Sequence, residues 1–452
     1  MNYAEEYGKK LVTAEEAVKV IKSGEWVDYG TFQNQVVMLD QALAARKEEL
    51  DDVKIRSACR VMGPPAVAMA DPAKETFVFN SGHYSPIDRK VSDFGMCYYF
   101  PLLFREVPSY YDYGTVDVAM VAVSPMDKHG YFNFGLSNVY SKKTCEQARK
   151  VIVEVNPNIP WVYGGSQECI HVSEVDYIVE ADWQLMQLPE IPIKNEDEKI
   201  ASLILNQIED GSCIQLGIGA LPNALGKLIA KSDLKDLGVH SEMMCDAFME
   251  MWEAGRVTGN CKNTDKGKMV FTFALGAPRL YEWLDHNPGV ASYPVDIVNY
   301  PHRIAANDKV ISINNALQVD LFGQVAAESS GPRHISGTGG QVDFVEGAFM
   351  SKGGKSFIAL NSTYTDKDGN LHSRLTPTLE PGTIVTTTRS TVMYIATEFG
   401  IACMKAKSTW ERAEALVEIA HPKFREELIQ EAEKMKIWRR SNKRATAAQC
   451  AG

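Results

Sequence analysis

The nine cysteines are scattered, odd in number and form no CxxC pair. A disulfide framework and a thiolate zinc site are therefore not expected, and such thiols suit a reducing cytoplasm. Long apolar runs are also missing. The longest stretches, such as "GMCYYFPLLF", stop well short of the ~20 residues a membrane-spanning helix needs. The opening "MNYAEEYGKK" lacks the basic, apolar and small-residue order of a secretory signal. Positive charge is in deficit, because 47 Lys and Arg face 58 Asp and Glu for a net −11. A nucleic-acid partner would require a basic face, so none is expected. A small anion remains compatible, since helix N-termini and a few lysines bind phosphate even in acidic proteins. The expectation is a soluble cytoplasmic protein with neither a nucleic-acid nor a membrane partner.

Several catalytic signatures are absent as well. There is no GxxxxGK[ST] loop, no GxSxG elbow and no HExxH. Neither "GIGALP" nor "GTGGQV" completes the GxGxxG of dinucleotide folds. The nine histidines are dispersed without ligand spacing, so no metal site is expected.

What the chain does have is weak self-similarity. "TAEEAVKVIKSGEWVDYG" (13–30) reads as a helix, a glycine, a short strand and a closing Gly30. "NEDEKIASLILNQIEDGSCIQLG" (195–217) gives the same order and closes at Gly217. Ala17, Val18 and Ile21 match Ile204, Leu205 and Ile208 at helical spacing. After each closing glycine come a loop and a second helix, "MLDQALAAR" or "NALGKLIAK", and then a polar turn into a short strand. Farther on, 116–130 resembles 309–323, "VIVEVN" echoes "FIALN", and "VDYIVE" echoes "TIVTTT". Their shared order carries the inference of two similar α/β domains with mostly parallel open sheets. The proline- and charge-rich "MQLPEIPIKNEDEK" separates a domain at 1–188 from one at 195–452. Two helices close the chain, with a Ser408/Glu411 capping box and Pro422 at the second helix start. "SNKRATAAQCAG" reads as a loose tail.

In this register one acid stands out. "VHSEMMCDAF" (239–248) puts Glu242 at the carboxyl end of a strand, where open α/β sheets bind ligands. The first repeat has Ala58 near the corresponding place. The competing reading is a helix-start acid that complements the helix dipole. His240 lies two residues away and is read as structural rather than as a general base. Two glycine-rich loops stand out beside this acid. "LGIGALPNAL" (216–225) follows a strand and opens a helix, and "ISGTGGQVDFVEGA" (335–348) carries Gly337, Gly339 and Gly340. Both permit close backbone approach to a ligand, and each alone also suits a tight packing turn. Lys352 and Lys355 of "SKGGKS" suit phosphates or a solvated turn.

"LGIGALPNALG", "VHSEM", "VNYPHRIAANDKVISINNALQVDLFGQV", "SGTGGQVDFVEGA" and "IAHPKFREEL" together resemble the acetyl-CoA hydrolase/transferase family of CoA-transferases. Within it the likeness is greatest to the butyryl-CoA:acetate enzymes, with the 4-hydroxybutyrate enzymes next. "EWVDYGTFQNQVVMLDQAL" departs most from the butyryl pattern, in a segment that shapes the acyl pocket in such proteins.

The resemblance implies a CoA-transferase (ribose-isomerase-like) fold and substrates that are coenzyme A thioesters and short-chain carboxylates, with no permanently bound cofactor; a homo-oligomer (dimer) is expected, its state not fixed by the sequence. It implies that Glu242 is the nucleophile, passing through a mixed anhydride to a glutamyl-CoA thioester. The side-chain amide of Asn299 and the backbone N–H of Gly340 would stabilise the oxyanions. Gly217, Ile218, Gly219, Ala220 and Leu221 would line the CoA site through their backbones, with contributions from Leu317 and Thr365. Two alternatives stay open on the sequence: a short-chain acyl-CoA hydrolase, and a CoA-binding sensor without turnover.

Overall fold

The structure is a computed structural model that describes residues 2–189 and 191–439. The tail "SNKRATAAQCAG" lies outside the described residues. The chain divides into two compact units. The first comprises Met1–Pro189, Ser241–Cys245 and Lys268–Tyr300, and the second Glu190–His240, Asp246–Gly267 and Pro301–Gly452.

The first unit is built on a seven-stranded, wholly parallel sheet. Its strands are β1 (Trp26–Thr31), β2 (Val53–Ala58), β3 (Phe77–Ser81), β4 (Tyr98–Tyr99) and β5 (Val118–Val123), followed by Lys150–Val155 and Tyr177–Glu180. The order is β4-β3-β2-β1-β5 and then the last two in sequence. The sequence explains the positions. β5, "VAMVAV", is buried at every residue, as a continuous apolar run should be when both faces are covered. Strand order reverses between β1 and β5, and such a switch point leaves a crevice beyond the carboxyl ends. Gly30 is needed there, since a Cβ on it would lie 2.1 Å from the Asn34 carbonyl oxygen.

The second unit repeats the plan with six strands. Their order is Gly238–Val239, Cys213–Gln215, Val310–Asn315, Lys355–Ala359, Tyr394–Thr397 and Gly400–Cys403. All pairs are parallel except the last. The architecture is thus α/β with mostly parallel sheets, and the helices Thr409–Glu418 and Pro422–Lys434 close the chain. The first has the Ser408/Glu411 capping box and the second has proline in its first turn.

Two differences from the sequence reading stand out. "TIVTTT" is not a strand of this sheet, and the strand comes later, at Tyr394–Thr397. Thr386 and Thr387 instead spend their amides on the Val325 carbonyl at 2.9 and 3.2 Å. The units also differ from a linear division into 1–188 and 195–452 in two segments. Ser241–Cys245 and Lys268–Tyr300 pack in the first unit because Met243–Met244 pairs in parallel with Phe273–Ala274. Phe273 in turn stacks on Phe32, with ring centroids 3.8 Å apart.

A buried ion pair fixes the chain beyond β2. Arg60 Nη2 donates to Asp40 Oδ2 at 2.8 Å, with side chains 2% and 1% exposed. Asp40 also accepts from Ala66 N at 2.7 Å and from the Tyr29 hydroxyl at 3.1 Å. Removing one partner strands the other as a buried charge. Arg60→Met should therefore lower unfolding stability by ~3–5 kcal/mol. In chemical denaturation the double variant with Asp40→Leu should be less destabilised than Arg60→Met alone.

Candidate active site

Glu242 is held on both sides by backbone pairing within the first unit. Ser241 N donates to Val270 O at 3.0 Å, and the Glu242 carbonyl accepts from Thr272 N at 3.0 Å and Phe273 N at 3.3 Å. The next two residues are the strand Met243–Met244, 5% and 0% exposed. Helix Asp246–Glu253 begins four residues after Glu242, so Asp246 and not Glu242 occupies its first turn. The helix-start explanation for Glu242 therefore does not apply. A partly buried carboxylate is placed instead between an apolar strand and the Thr272–Phe273 backbone.

Asn299 meets it there. "VDIVN" forms a short helix, Val295–Asn299, entered through Pro294, and Asn299 is fully buried at its end. Its Nδ2 donates to Glu242 Oε2 at 2.7 Å. Of the residues singled out in the sequence, these two are brought into direct contact.

The neighbourhood contains backbone strain that no sequence pattern announced. Phe32, Cys59 and Val139 have φ of 49°, 51° and 38°, uncommon for bulky or β-branched residues and enriched at functional sites. Each is tied to Glu242. Phe32 stacks on Phe273, whose amide reaches the Glu242 carbonyl. Val139 N donates to Thr272 O at 3.3 Å, one residue from that same contact. Cys59 follows the end of β2, and its thiol is pushed above the ordinary value by burial first, then by Asp88, with a smaller contribution from Glu242. A thiol so held stays protonated at neutral pH. Phe104 adds a third ring, edge-on to Phe273 at 6.4 Å.

The remaining predicted residues belong to the second unit. Gly217, Ile218 and Gly219 form the loop between Cys213–Gln215 and helix Ala220–Lys231, whose first residues are Ala220 and Leu221. A Cβ on Gly217 would meet nothing within 4 Å, whereas Gly219 has φ of +126°. Gly340 is the N-cap residue of helix Gln341–Met350, directly after the left-handed Gly339 (φ 54°). The two loops meet at Asn315, a residue the sequence reading passed over within "INNAL". Gln341 Nε2 donates to the Asn315 carbonyl at 2.8 Å, and Asn315 Nδ2 lies 4.0 Å from where a Gly219 Cβ would be. Leu317 is two residues farther on, its carbonyl held by Arg374 Nη1 at 3.0 Å. Thr365 stands apart, exposed at the end of the hairpin strand Thr363–Thr365. Lys352 and Lys355 lie before or at the amino end of Lys355–Ala359, away from the strand ends that carry the loops. His240 is buried, with its ring 6.4 Å from that of Phe344. Among the described residues no cluster of His, Cys, Asp or Glu is placed to hold a metal ion, and no helix is long and apolar enough to cross a membrane.

The fold agrees with what comparison finds. Residues 1–188 match the acetyl-CoA hydrolase/transferase N-terminal domain, and residues 276–432 match its C-terminal domain. The chain is 50% identical over 449 residues to the butyryl-CoA:acetate CoA-transferase of Anaerostipes caccae, covering 98% of this chain and 100% of that one. It is 42% identical over 440 residues to the 4-hydroxybutyrate coenzyme A transferase of Clostridium kluyveri, covering 96% and 100%. The crystal structure of RipA from Yersinia pestis superposes with a TM-score of 0.89 at 37% identity, covering 97% and 100%. The chain belongs to the acetyl-CoA hydrolase/transferase family and is an enzyme of the CoA-transferase class.

The left-handed Gly219 gives a direct test of the first loop. Gly219→Ala places a side chain at φ +126° and should lower stability by about 1 kcal/mol or more. Thermal unfolding of the two proteins side by side checks this, and an unchanged midpoint would mean that the loop relaxes freely.

Proposed function

We propose that the enzyme moves CoA between a short-chain acyl-CoA, butyryl-CoA or a near homologue, and acetate through a glutamyl-CoA thioester on Glu242. The observation that carries this reading is the 2.7 Å hydrogen bond from Asn299 Nδ2 to Glu242 Oε2. One carboxylate oxygen is held by a donor while the other attacks the thioester carbonyl, breaking the C–S bond and releasing CoA thiolate. In the resulting mixed anhydride the held oxygen is the glutamyl carbonyl oxygen. Thiolate attack on Cδ then puts negative charge on that same atom, with Asn299 already in hydrogen-bonding position. The acyl carboxylate leaves, and acetate runs the sequence backward. Each step exchanges an acyl group between a carboxylate and a thiolate, so no metal or redox cofactor enters.

Carboxylate is a weak nucleophile, and the proposal relies on positioning and partial desolvation. The backbone anchors at Thr272 and Phe273 and the apolar Met243–Met244 support both. Phe32, Phe104 and Phe273 offer an apolar surface suited to a short acyl chain. Phe32 belongs to the segment that departs most from the butyryl pattern, and acyl preference is assigned to it. The glycine loops at 217–221 and 337–340 are assigned to CoA, with Gly340 N–H as a second donor and Leu317 and Thr365 as lesser contacts.

Incubation with butyryl-CoA and no acceptor should leave CoA attached to Glu242, recoverable by peptide mass spectrometry as the borohydride-reduced alcohol. Glu242→Gln should fold and give no adduct. A label on Asp246 or Glu346 would refute the assignment. Initial rates should give parallel double-reciprocal plots, and CoA release that ignores added acetate would favour hydrolysis instead. Asn299→Ala should lower kcat by ~10²–10³, the usual loss for one oxyanion donor. CoA affinity should change much less, and a proportional loss of affinity would make Asn299 only a binding contact.

A further inference from the structure

The first unit contains a half-open cavity to which the transfer chemistry assigns no role. The segment after β4 crosses the sheet face before β5 begins, and beneath it lies a cavity of about 430 Å³. That is within the ~300–1,000 Å³ of small-molecule sites. Its walls are aromatic, with Trp26, Phe100, Tyr110, Tyr111 and Tyr140 among them, and its one cation is Arg56. Trp26 is the first residue of β1, and Gly114 precedes β5 by four residues, so this space reaches the amino ends of those strands. The residues grouped around Glu242 include Phe32 and Cys59, which follow the carboxyl ends of β1 and β2.

Arg56 is held in a fixed pose. Its guanidinium carbon lies 4.7 Å from the Trp26 ring centroid, 5.5 Å from Phe100 and 5.6 Å from Tyr111. Nη1 donates to Asp28 Oδ2 at 2.9 Å, and the Tyr111 hydroxyl donates to Asp28 Oδ1 at 2.9 Å. Nε has no partner among the described residues, and the guanidinium also hydrogen-bonds the Tyr111 hydroxyl. Nη2 faces Gly114, where a Cβ would lie 3.4 Å away, in van der Waals contact. A planar guanidinium edge amid aromatic rings suits a flat or branched apolar body that ends in a carboxylate.

We propose that this cavity is a second ligand site, which binds a monocarboxylate with an aromatic or branched body through Arg56 Nη2. Asp28 determines how the charge is balanced. It is 1% exposed and faces Arg56 from β2, Tyr111 from the crossing segment, and Tyr140 and Cys145 at and beyond the start of helix Ser141–Gln147. Burial pushes its carboxyl up to about 6, against the opposing pull of Arg56 and Tyr111. A second carboxylate on the same guanidinium disfavours the ionised form of Asp28, so the ligand enters together with a proton on Asp28. Affinity then rises as pH falls from 7 to 6, by roughly fivefold if only the protonated form binds.

The test is isothermal titration of the full-length enzyme with 3-phenylpropionate, and with the neutral 3-phenylpropanamide as control. The acid should bind at one site, more tightly at pH 6 than at pH 7, with proton uptake visible as a heat that depends on the buffer. Arg56→Met should weaken it about tenfold or more, as expected for loss of a charge-assisted hydrogen bond. Gly114→Leu fills the space while leaving the Arg56–Asp28 pair in place, and it should have the same effect. Glu242→Gln should bind the acid as wild type does. Equal binding of acid and amide, wild-type affinity in both cavity variants, or loss of binding in Glu242→Gln would each overturn the proposal. The titration measures binding alone, so its outcome is independent of whether CoA transfer occurs.

Discussion

The contact between Asn299 and Glu242 is the constraint that the packing of the first unit has to satisfy. A 2.7 Å hydrogen bond between a buried amide and a carboxylate requires two segments distant in sequence to be fixed to within a few tenths of an ångström. Neither segment is stable alone, since one carries a two-residue strand and the other a five-residue helix. Their fixity comes from parallel pairing of Met243–Met244 with Phe273–Ala274 and from the aromatic stack of Phe32 on Phe273. The geometry of this contact is set by the packing at the first sheet's switch point.

That packing accounts for the strain. Phe32 and Cys59 follow β1 and β2, the strands on one side of the reversal, and both adopt positive φ. Such conformations cost of order 1–3 kcal/mol each. They persist here because the chain is over-determined on either side, by Gly30 against Asn34 and by Arg60 against Asp40. The rigid buried network, the strained turn beside it and the Glu242 carboxylate are thus held by one continuous set of contacts.

Much of this was legible in the sequence. The paired order of helix, glycine and strand foretold two parallel sheets, because apolar periodicity is local and survives divergence. The family motifs singled out Glu242 and Asn299, and the structure brings their side chains into contact. What periodicity does not encode is which distant short segments pair. "EMMC" and "FTFALG" look like ordinary pieces of the second half, and only tertiary pairing assigns them to the first unit. "TIVTTT" has the composition of a strand and was taken up by side contacts with Val325. Positive φ at Phe32, Cys59 and Val139 had no signal, since none is a residue type that favours it. Asn315 was hidden because an asparagine after a strand is also an ordinary turn residue.

The interleaving of the two units has a consequence for how the enzyme is made. The chain passes from one unit to the other at 189/190, 240/241, 245/246, 267/268 and 300/301, five times in all. On a ribosome the seven-stranded sheet is complete in sequence by Glu180, yet the carboxylate and its amide partner are not synthesised until Glu242 and Asn299. Domains generally fold as units during synthesis at ~5–20 residues per second, so the first sheet must wait several seconds with its switch point uncovered. Phe32 is the ring most exposed by that delay, because its stacking partner is Phe273. The last stretch of the first unit to be translated, Lys268–Tyr300, thus brings both the amide partner of Glu242 and the ring that covers Phe32.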